Sequence, residues 1–127
     1  FTSISAHRAQ AGRFVYPAIK AAVAQLTRSQ ALEFSPYGVR VNAVAPGWTW
    51  SNIISALSNG DRAKADKVGG AYHMTGRIGD AEEVAKLVAF LCSEDAALLR
   101  GTEVAADGGY LALGPEGTGN AIAKHIG

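Results

Sequence analysis

The chain has 127 residues, of which 48% are hydrophobic and 18% charged, with twelve Lys and Arg against eleven Asp and Glu. This length corresponds to a single domain, residues 1–127, and the apolar content excludes disorder of the whole chain. A net charge of +1 is too balanced for binding nucleic acid or an anionic membrane through bulk electrostatics. Polar residues interrupt every apolar stretch before the roughly 20 residues that a membrane span needs. We therefore expect neither a nucleic-acid nor a membrane partner.

The chain contains one cysteine, Cys92. A single cysteine allows no intrachain disulfide, so we predict a core thiol in a reducing, cytoplasmic compartment. The three histidines are scattered without partners at ligand spacing, which predicts no metal site. Because the chain opens on Phe1 rather than on Met, as if in the middle of a strand, we expect a fragment of a longer protein.

The first third of the chain predicts a strand, a loop and a long helix. Residues 1–4 are compatible with a strand, and residues 5–12 are polar and contain glycine, which is typical of a loop. Apolar residues then recur at helical spacing over residues 16–34. Pro36 and Gly38 follow, and these residue types end a helix.

Residues 39–45 predict a second strand. Valine occupies alternate positions there, and Pro46 and Gly47 close the segment with a turn. We expect this strand to be buried on both faces. Asn42 is interpreted as a strand residue whose amide ties a neighbouring loop.

The remainder of the chain predicts a lid, a helix, a last strand and a tail. Residues 59–79 are polar and punctuated by glycine, which predicts a long irregular connection that acts as a substrate lid. Asp80 is a candidate N-cap for a helix with an apolar face up to Leu91. Residues 102–106 predict a strand, and residues 110–127 a tail. Alternating strands and helices of this kind predict an α/β fold with a parallel sheet of about three strands.

Tyr16 and Lys20 lie four residues apart in the first predicted helix. This spacing puts both side chains on one helix face, roughly 6 Å apart. An ammonium group beside a phenol stabilises the phenolate, so the pair is a candidate general acid/base unit. A surface pair without function is the alternative, and a lone Tyr-x-x-x-Lys motif does not decide between the two.

The elements around this pair resemble the short-chain dehydrogenase/reductase family, from residue 1 to about residue 110. Ser3 stands thirteen residues before Tyr16, at the family's usual place for its catalytic serine. The other similar segments are residues 16–20 for the Tyr-x-x-x-Lys element, 40–47 for the next strand and its Pro-Gly turn, 76–93 for the penultimate helix, and 101–109 for the last strand and its Asp-Gly-Gly turn.

This resemblance implies the C-terminal part of a Rossmann-like, doubly wound parallel sheet in three αβα layers, without the N-terminal half that binds the dinucleotide phosphates. It implies an oxidoreductase that interconverts an alcohol and a carbonyl by hydride transfer with NAD or NADP. The implied partners are a small-molecule alcohol or carbonyl and further copies of the chain, in a homo-oligomer such as a dimer or tetramer. The isolated fragment is expected to be inactive.

In this scheme Tyr16 is the general acid/base, Ser3 hydrogen-bonds the substrate oxygen, and Lys20 holds the nicotinamide ribose and stabilises the phenolate of Tyr16. Ser5 competes with Ser3 for the serine role. The implied cofactor-binding residues are Tyr16, Lys20, Pro46, Gly47, Thr49 and Ser51, the last of which stands where the family commonly has Thr.

Three aromatic or imidazole side chains remain open in the sequence. Trp48 and Trp50 either line a substrate pocket or pack under the lid, since aromatic residues dominate both settings. His73, in the predicted lid, is expected to be a solvated loop residue, with contact to substrate as the alternative. A different function also remains open, namely a non-catalytic oligomerisation or binding module derived from the same fold.

Overall fold

The computed structural model describes residues 1–115, 117 and 119. Its helices and strands are α1 (Val15–Phe34), β1 (Ala43–Pro46), α2 (Asn52–Leu57), α3 (Arg62–Gly69), α4 (Ala81–Leu91) and β2 (Glu103–Ala106). Short 3-10 turns connect these elements, and the predicted tail begins with one of them, Tyr110–Ala112. The residues of that tail numbered 116, 118 and 120–127 lie outside the described residues.

The two strands pair in parallel, from Ala43 opposite Glu103 to Pro46 opposite Ala106. The predicted first strand does not form within the described residues. Thr2 donates its N–H to the Val44 oxygen at 2.9 Å, but the chain then turns away into the 3-10 turn Ile4–Ala6. The described sheet therefore has two strands rather than the three we expected.

The strand predicted over residues 39–45 is shorter in the structure and shifted towards Pro46. Ala43, Val44 and Ala45 are all buried, which confirms burial on both faces. The side chain of Asn42 lies just before the strand, where it donates to the Leu99 oxygen at 2.8 Å and accepts from the Thr102 N–H at 3.2 Å. The amide thus ties the loop that enters β2, as its position predicted.

Helix α1 confirms the predicted helix and its end, where Gly38 takes a left-handed φ of 72°. The face that packs inward is not the one carrying the large apolar residues. Small side chains, Ala24, Thr27 and Ala31, are buried, whereas Leu26 and other large residues are exposed. Small residues allow close approach: a Cβ added to Gly101 would lie 3.3 Å from the Ala31 Cβ.

Helix α4 begins at the predicted N-cap, where Asp80 and Glu83 form a capping box. The Arg77 guanidinium donates to both carboxylate oxygens of Glu83, at 2.5 and 2.9 Å. This ion pair lowers the pKa of Glu83 to about 2. The apolar face of the helix packs on one side of the sheet, with Val84, Leu87, Val88 and Leu91 against Val44, Val104 and Ala106.

The prediction that residues 59–79 form an irregular connection is wrong. Helix α3 occupies the middle of this segment and is capped by Asp61, whose side chain accepts from the Lys64 N–H at 3.0 Å. Arg62 pairs with Asp66 and Asp80 and so fastens α3 to the start of α4. The polar composition concealed this helix because it lies on the surface and buries mainly small residues.

Cys92 is exposed, so the prediction of a core thiol is also wrong. Cys92 directly follows the last residue of α4. Around it, the Arg40 guanidinium donates hydrogen bonds to the carbonyl oxygens of Leu91, Ser93 and Ala96. The side chain that points inward at this helix end is that of Leu91 instead.

Across the described part of the chain, no helix combines the length and apolarity that a membrane crossing requires.

Candidate active site

The predicted pair Tyr16 and Lys20 occupies the first two turns of α1. Lys20 Nζ lies 5.6 Å from the centroid of the Tyr16 ring, a distance at which an ammonium attracts an aromatic face. Tyr16 is 45% exposed, and its hydroxyl makes no hydrogen bond within the described residues. The phenol oxygen is therefore reachable and open to a ligand.

Ser3 caps the 3-10 turn Ile4–Ala6. Its Oγ accepts the N–H of Ser5 at 3.1 Å, and the residue is buried. Because the oxygen acts here as an acceptor, its hydroxyl proton stays available for donation to another group. The hydroxyl of Ser5 differs in this respect, since it already donates to Gln10 Oε1 at 2.8 Å.

Two hydrogen bonds hold the two residues that precede Ser3 in the chain. Thr2 is bonded to Val44 of β1, and the carbonyl oxygen of Phe1 accepts from Lys20 Nζ at 3.0 Å. Ser3 thus lies between the first turns of α1 and β1, in the same region as Tyr16 and Lys20. In the described part of the chain no hydrogen bond joins the hydroxyls of Ser3 and Tyr16 directly.

Pro46 and Gly47 form the turn that leaves the carboxyl end of β1. The N–H of Gly47 donates to the Ala106 oxygen at 3.0 Å, as the last bond of the ladder. A Cβ at this position would lie 2.8 Å from both Asp107 Cα and His73 Nε2. Only glycine fits here without displacing a neighbour, which explains the residue type.

Thr49, the next predicted cofactor contact, forms an isolated parallel bridge with Gly79. Trp50 N–H donates to the Gly79 oxygen, and Gly79 N–H to the Trp48 oxygen, each at 2.8 Å. In this pattern the N–H and C=O of Thr49 point to the opposite side. Within the described residues those two groups make no hydrogen bond. They present one donor and one acceptor side by side, which fits a carboxamide such as that of nicotinamide.

Ser51 caps helix α2 close to this edge. Its Oγ accepts from the Ile54 N–H at 3.4 Å. The side chain is exposed, and its hydroxyl proton is free to donate in the same way as that of Ser3. Ser51 therefore adds a second donor near the Thr49 main chain.

His73 is not the solvated loop residue that its polar surroundings predicted. It is 1% exposed, and both ring nitrogens are engaged. Nδ1 lies 2.7 Å from the Gly69 oxygen, while Nε2 lies 3.2 Å from the main-chain nitrogen of Trp48. The sequence contains no signal for this contact, because the partners come from different elements.

The two tryptophans pack against residues 59–79, the segment predicted to act as a lid. Trp48 lies with its ring centroid 6.3 Å from that of Tyr72 and against Gly69, where an added Cβ would approach it to 2.9 Å. The Arg62 guanidinium lies over the Trp50 ring, with its Cζ atom 5.6 Å from the ring centroid. Both tryptophans therefore pack against this segment, and Trp48 also lines a cavity together with Thr75 and Asp107.

His7 has an acidic partner that the sequence does not reveal, because Glu103 lies 96 residues away. The imidazole Nε2 contacts Glu103 Oε2, while Oε1 of the same carboxylate is buried and makes no hydrogen bond to a described residue. Among the described residues, no group of three His, Cys, Asp or Glu side chains is placed to hold a metal ion.

Comparison with known proteins shows that the chain is similar to oxidoreductases. A family model described as Enoyl-(Acyl carrier protein) reductase matches residues 1–111. The cis-4-hydroxycyclohexanecarboxylate dehydrogenase of Sinomonas cyclohexanicum is 42% identical over 104 residues, which are 82% of this chain and 40% of the relative. The cyclohexanol dehydrogenase of Acinetobacter sp. (strain SE19) is 38% identical over 95 residues, which are 75% of this chain and 35% of the relative.

A solved structure shows the same fold. The short chain dehydrogenase family protein from Francisella tularensis subsp. tularensis SCHU S4 superposes with a TM-score of 0.78 at 32% identity, over 87% of this chain and 49% of that one. This likeness confirms the predicted fold class, part of a Rossmann-like parallel α/β sheet. The chain spans less than half the length of the relatives it matches.

Proposed function

Because the chain belongs to the short-chain dehydrogenase/reductase family, we propose that the intact protein interconverts a small alcohol and its carbonyl compound by hydride transfer, with NAD or NADP. The observation that carries this proposal is the open phenol of Tyr16 beside the Lys20 ammonium, in the same region as Ser3. These three groups are what proton transfer to a carbonyl oxygen requires.

Tyr16 acts as the general acid/base. During reduction its Oη donates a proton to the carbonyl oxygen, and during oxidation it takes the proton of the alcohol. The ammonium of Lys20, 5.6 Å from the ring centroid, stabilises the negative charge left on the phenol oxygen. The exposed position of Tyr16 suits a group that must reach a substrate.

Ser3 orients the substrate and stabilises charge on its oxygen. Its hydroxyl proton is not used by the cap bond to Ser5, so it can be donated to the same carbonyl oxygen that Tyr16 protonates. A fixed donor aimed at an oxygen where charge develops lowers the barrier, because it needs no rearrangement during the reaction.

The nicotinamide end of the cofactor fits residues of this chain. A bound NAD or NADP supplies or accepts the hydride. The N–H and C=O of Thr49 and the hydroxyl of Ser51 hold the carboxamide, next to the turn formed by Pro46 and Gly47. Lys20 spends one of its three donor hydrogens on Phe1, which leaves the others for the ribose hydroxyls.

The names of the two curated relatives suggest the first substrates to test. Both act on a hydroxylated cyclohexane ring, one of them carrying a carboxylate. We therefore take cyclohexanol and cyclohexanone as probes of the proposed reaction.

We extend the proposal to assembly and location. Helix α1 exposes the large apolar residues Ile19, Leu26 and Leu32, and such a face supports pairing with a second copy of the chain in a dimer or tetramer. The unpaired, exposed Cys92 is compatible with a reducing compartment such as the cytoplasm.

The test compares the intact protein with two matched variants, Tyr16→Phe and Tyr37→Phe. Tyr37 is 79% exposed, on the turn after α1, and has no assigned role. With cyclohexanol and either NAD or NADP, we expect Tyr16→Phe to lower kcat by about 10²–10⁴-fold, the usual contribution of general acid/base catalysis, and Tyr37→Phe to leave it unchanged. Dinucleotide affinity should stay similar in both. Full turnover by Tyr16→Phe would remove Tyr16 from this role.

A further inference from the structure

His73 joins two segments that are far apart in the chain. Its ring donates from Nδ1 to the Gly69 oxygen, at the end of helix α3, and accepts the Trp48 N–H at Nε2. This assignment follows from the partners, since a carbonyl only accepts and a main-chain N–H only donates. The ring is also enclosed: the Tyr110 ring centroid lies 5.5 Å away, and a Cβ added to Gly108 would lie 3.3 Å from Cδ2.

The Trp48 N–H lies between two main-chain segments that are each held by backbone hydrogen bonds. Before it, the Gly47 N–H is bonded to Ala106 of β2; after it, Trp50 and Gly79 are bonded to each other. Within the described residues, the N–H of the peptide between Gly47 and Trp48 is held by the His73 ring, and the Gly47 oxygen of that peptide accepts from Thr49 Oγ1 at 3.1 Å. This peptide directly precedes Thr49, whose N–H and C=O face away from Gly79.

Close packing leaves the ring little room to move. A Cβ on Gly47 would come within 2.8 Å of His73 Nε2, and one on Gly69 within 2.4 Å of Ile78 Cγ2. Helix α3, the turn after β1 and the ring therefore form one tightly packed unit. Loss of the acceptor at Nε2 would leave the partly buried Trp48 N–H without a partner among the described residues, which is costly.

We propose that His73 is a positioning residue for the cofactor site: by accepting the Trp48 N–H, it fixes the turn whose next residue, Thr49, binds the nicotinamide carboxamide. This role rests on the proposed function. His73 touches neither substrate nor cofactor and acts through the main chain of Trp48 and Thr49.

The test uses two substitutions, each of which keeps one of the two hydrogen bonds that the His73 ring makes. In His73→Gln the amide oxygen reaches the place of Nε2 and still accepts from Trp48. In His73→Asn the shorter amide replaces Nδ1, so it still donates to Gly69 but does not reach Trp48. We expect His73→Asn to raise the KM for NAD or NADP by about tenfold with a smaller change in kcat, since an unmade, partly buried hydrogen bond of this kind is worth roughly a factor of ten. His73→Gln should stay within about threefold of the parent.

A second readout needs neither turnover nor cofactor. Hydrogen exchange of the Trp48 amide, followed by NMR on the intact protein, should be slow in the parent and in His73→Gln and faster in His73→Asn. Thermal unfolding of the three proteins separates this local change from a general loss of stability.

Each outcome bears on the proposal. Unchanged Trp48 exchange in His73→Asn would overturn the hydrogen bond itself. Equal rises of the cofactor KM in both variants, in step with a lower Tm, would reduce His73 to a packing role. If the parent neither binds the dinucleotide nor turns over, the proposed function fails and the cofactor role with it, while the exchange pattern still decides whether His73 holds the turn.

Discussion

Lys20 Nζ donates a hydrogen bond to the main-chain oxygen of Phe1 at 3.0 Å. This bond ties helix α1 to the segment that carries Ser3, two residues further along. One side chain thus places an ammonium beside the Tyr16 ring and holds the neighbouring serine segment in the same region.

Replacing Lys20 by Met removes the ammonium and the bond to Phe1 while keeping an unbranched chain of similar length. We expect kcat in the intact protein to fall by about 10–100-fold, the usual effect of losing a charged hydrogen-bonding partner. Lys20→Arg keeps the charge and is expected to retain more activity than Lys20→Met. Steady-state kinetics with cyclohexanol provide the measurement, and equal kcat in the parent and Lys20→Met would contradict it.

Ser3 and Ser5 compete for the serine role, and their hydrogen bonds separate them. Ser3→Ala removes a hydroxyl proton that is free to reach substrate, so kcat should fall by about 10²–10³-fold. Ser5→Ala removes the bond to Gln10 and should change kcat little. Ser3→Thr restores a hydroxyl and is expected to recover part of the activity. The reverse ranking of the two alanine variants would transfer the role to Ser5.

Gly47 should not tolerate a side chain. A Cβ there would meet Asp107 Cα and His73 Nε2 at 2.8 Å, so Gly47→Ala is expected to lower the free energy of unfolding by about 1–3 kcal/mol through overpacking. Gly114 offers a matched control, because a Cβ added to it meets nothing within 4 Å; Gly114→Ala should stay within about 0.5 kcal/mol of the parent. Urea denaturation of the intact protein measures both, and equal midpoints would refute the close approach at Gly47.

The Arg77–Glu83 ion pair makes a pH-dependent contribution to stability. Its hydrogen bonds lower the pKa of Glu83 from 4.5 to about 2, so between these values the unfolded chain binds more protons than the folded one. The stability contributed by this group is therefore fully present above about pH 4.5 and is lost as the pH falls towards 2. Glu83→Gln should be less stable at neutral pH and should lose less stability on acidification. Denaturation at several pH values tests this, and parallel pH profiles would count against it.

Local patterns in the sequence were sufficient for the long helix, the capping of α4 and the pairing of Tyr16 with Lys20. Helical spacing over residues 16–34 and the acidic residues at Asp80 and Glu83 act within one or two turns, so nearby residues alone determine them. The turn at Gly47 could be predicted from the sequence for the same reason. The polar helix α3 could not be predicted, because its apolar residues are too few to give a periodic pattern.

The sequence by itself determined the family and the parallel α/β fold class, and it proposed the residues of the candidate site. The tertiary structure decided which of those residues are held by which neighbours. The hydrogen bond between Trp48 and the buried His73 joins residues 25 positions apart in the chain. The contact of His7 with Glu103 joins residues 96 positions apart. Such contacts form only when strands and helices pack, because no local preference of the chain brings their partners together.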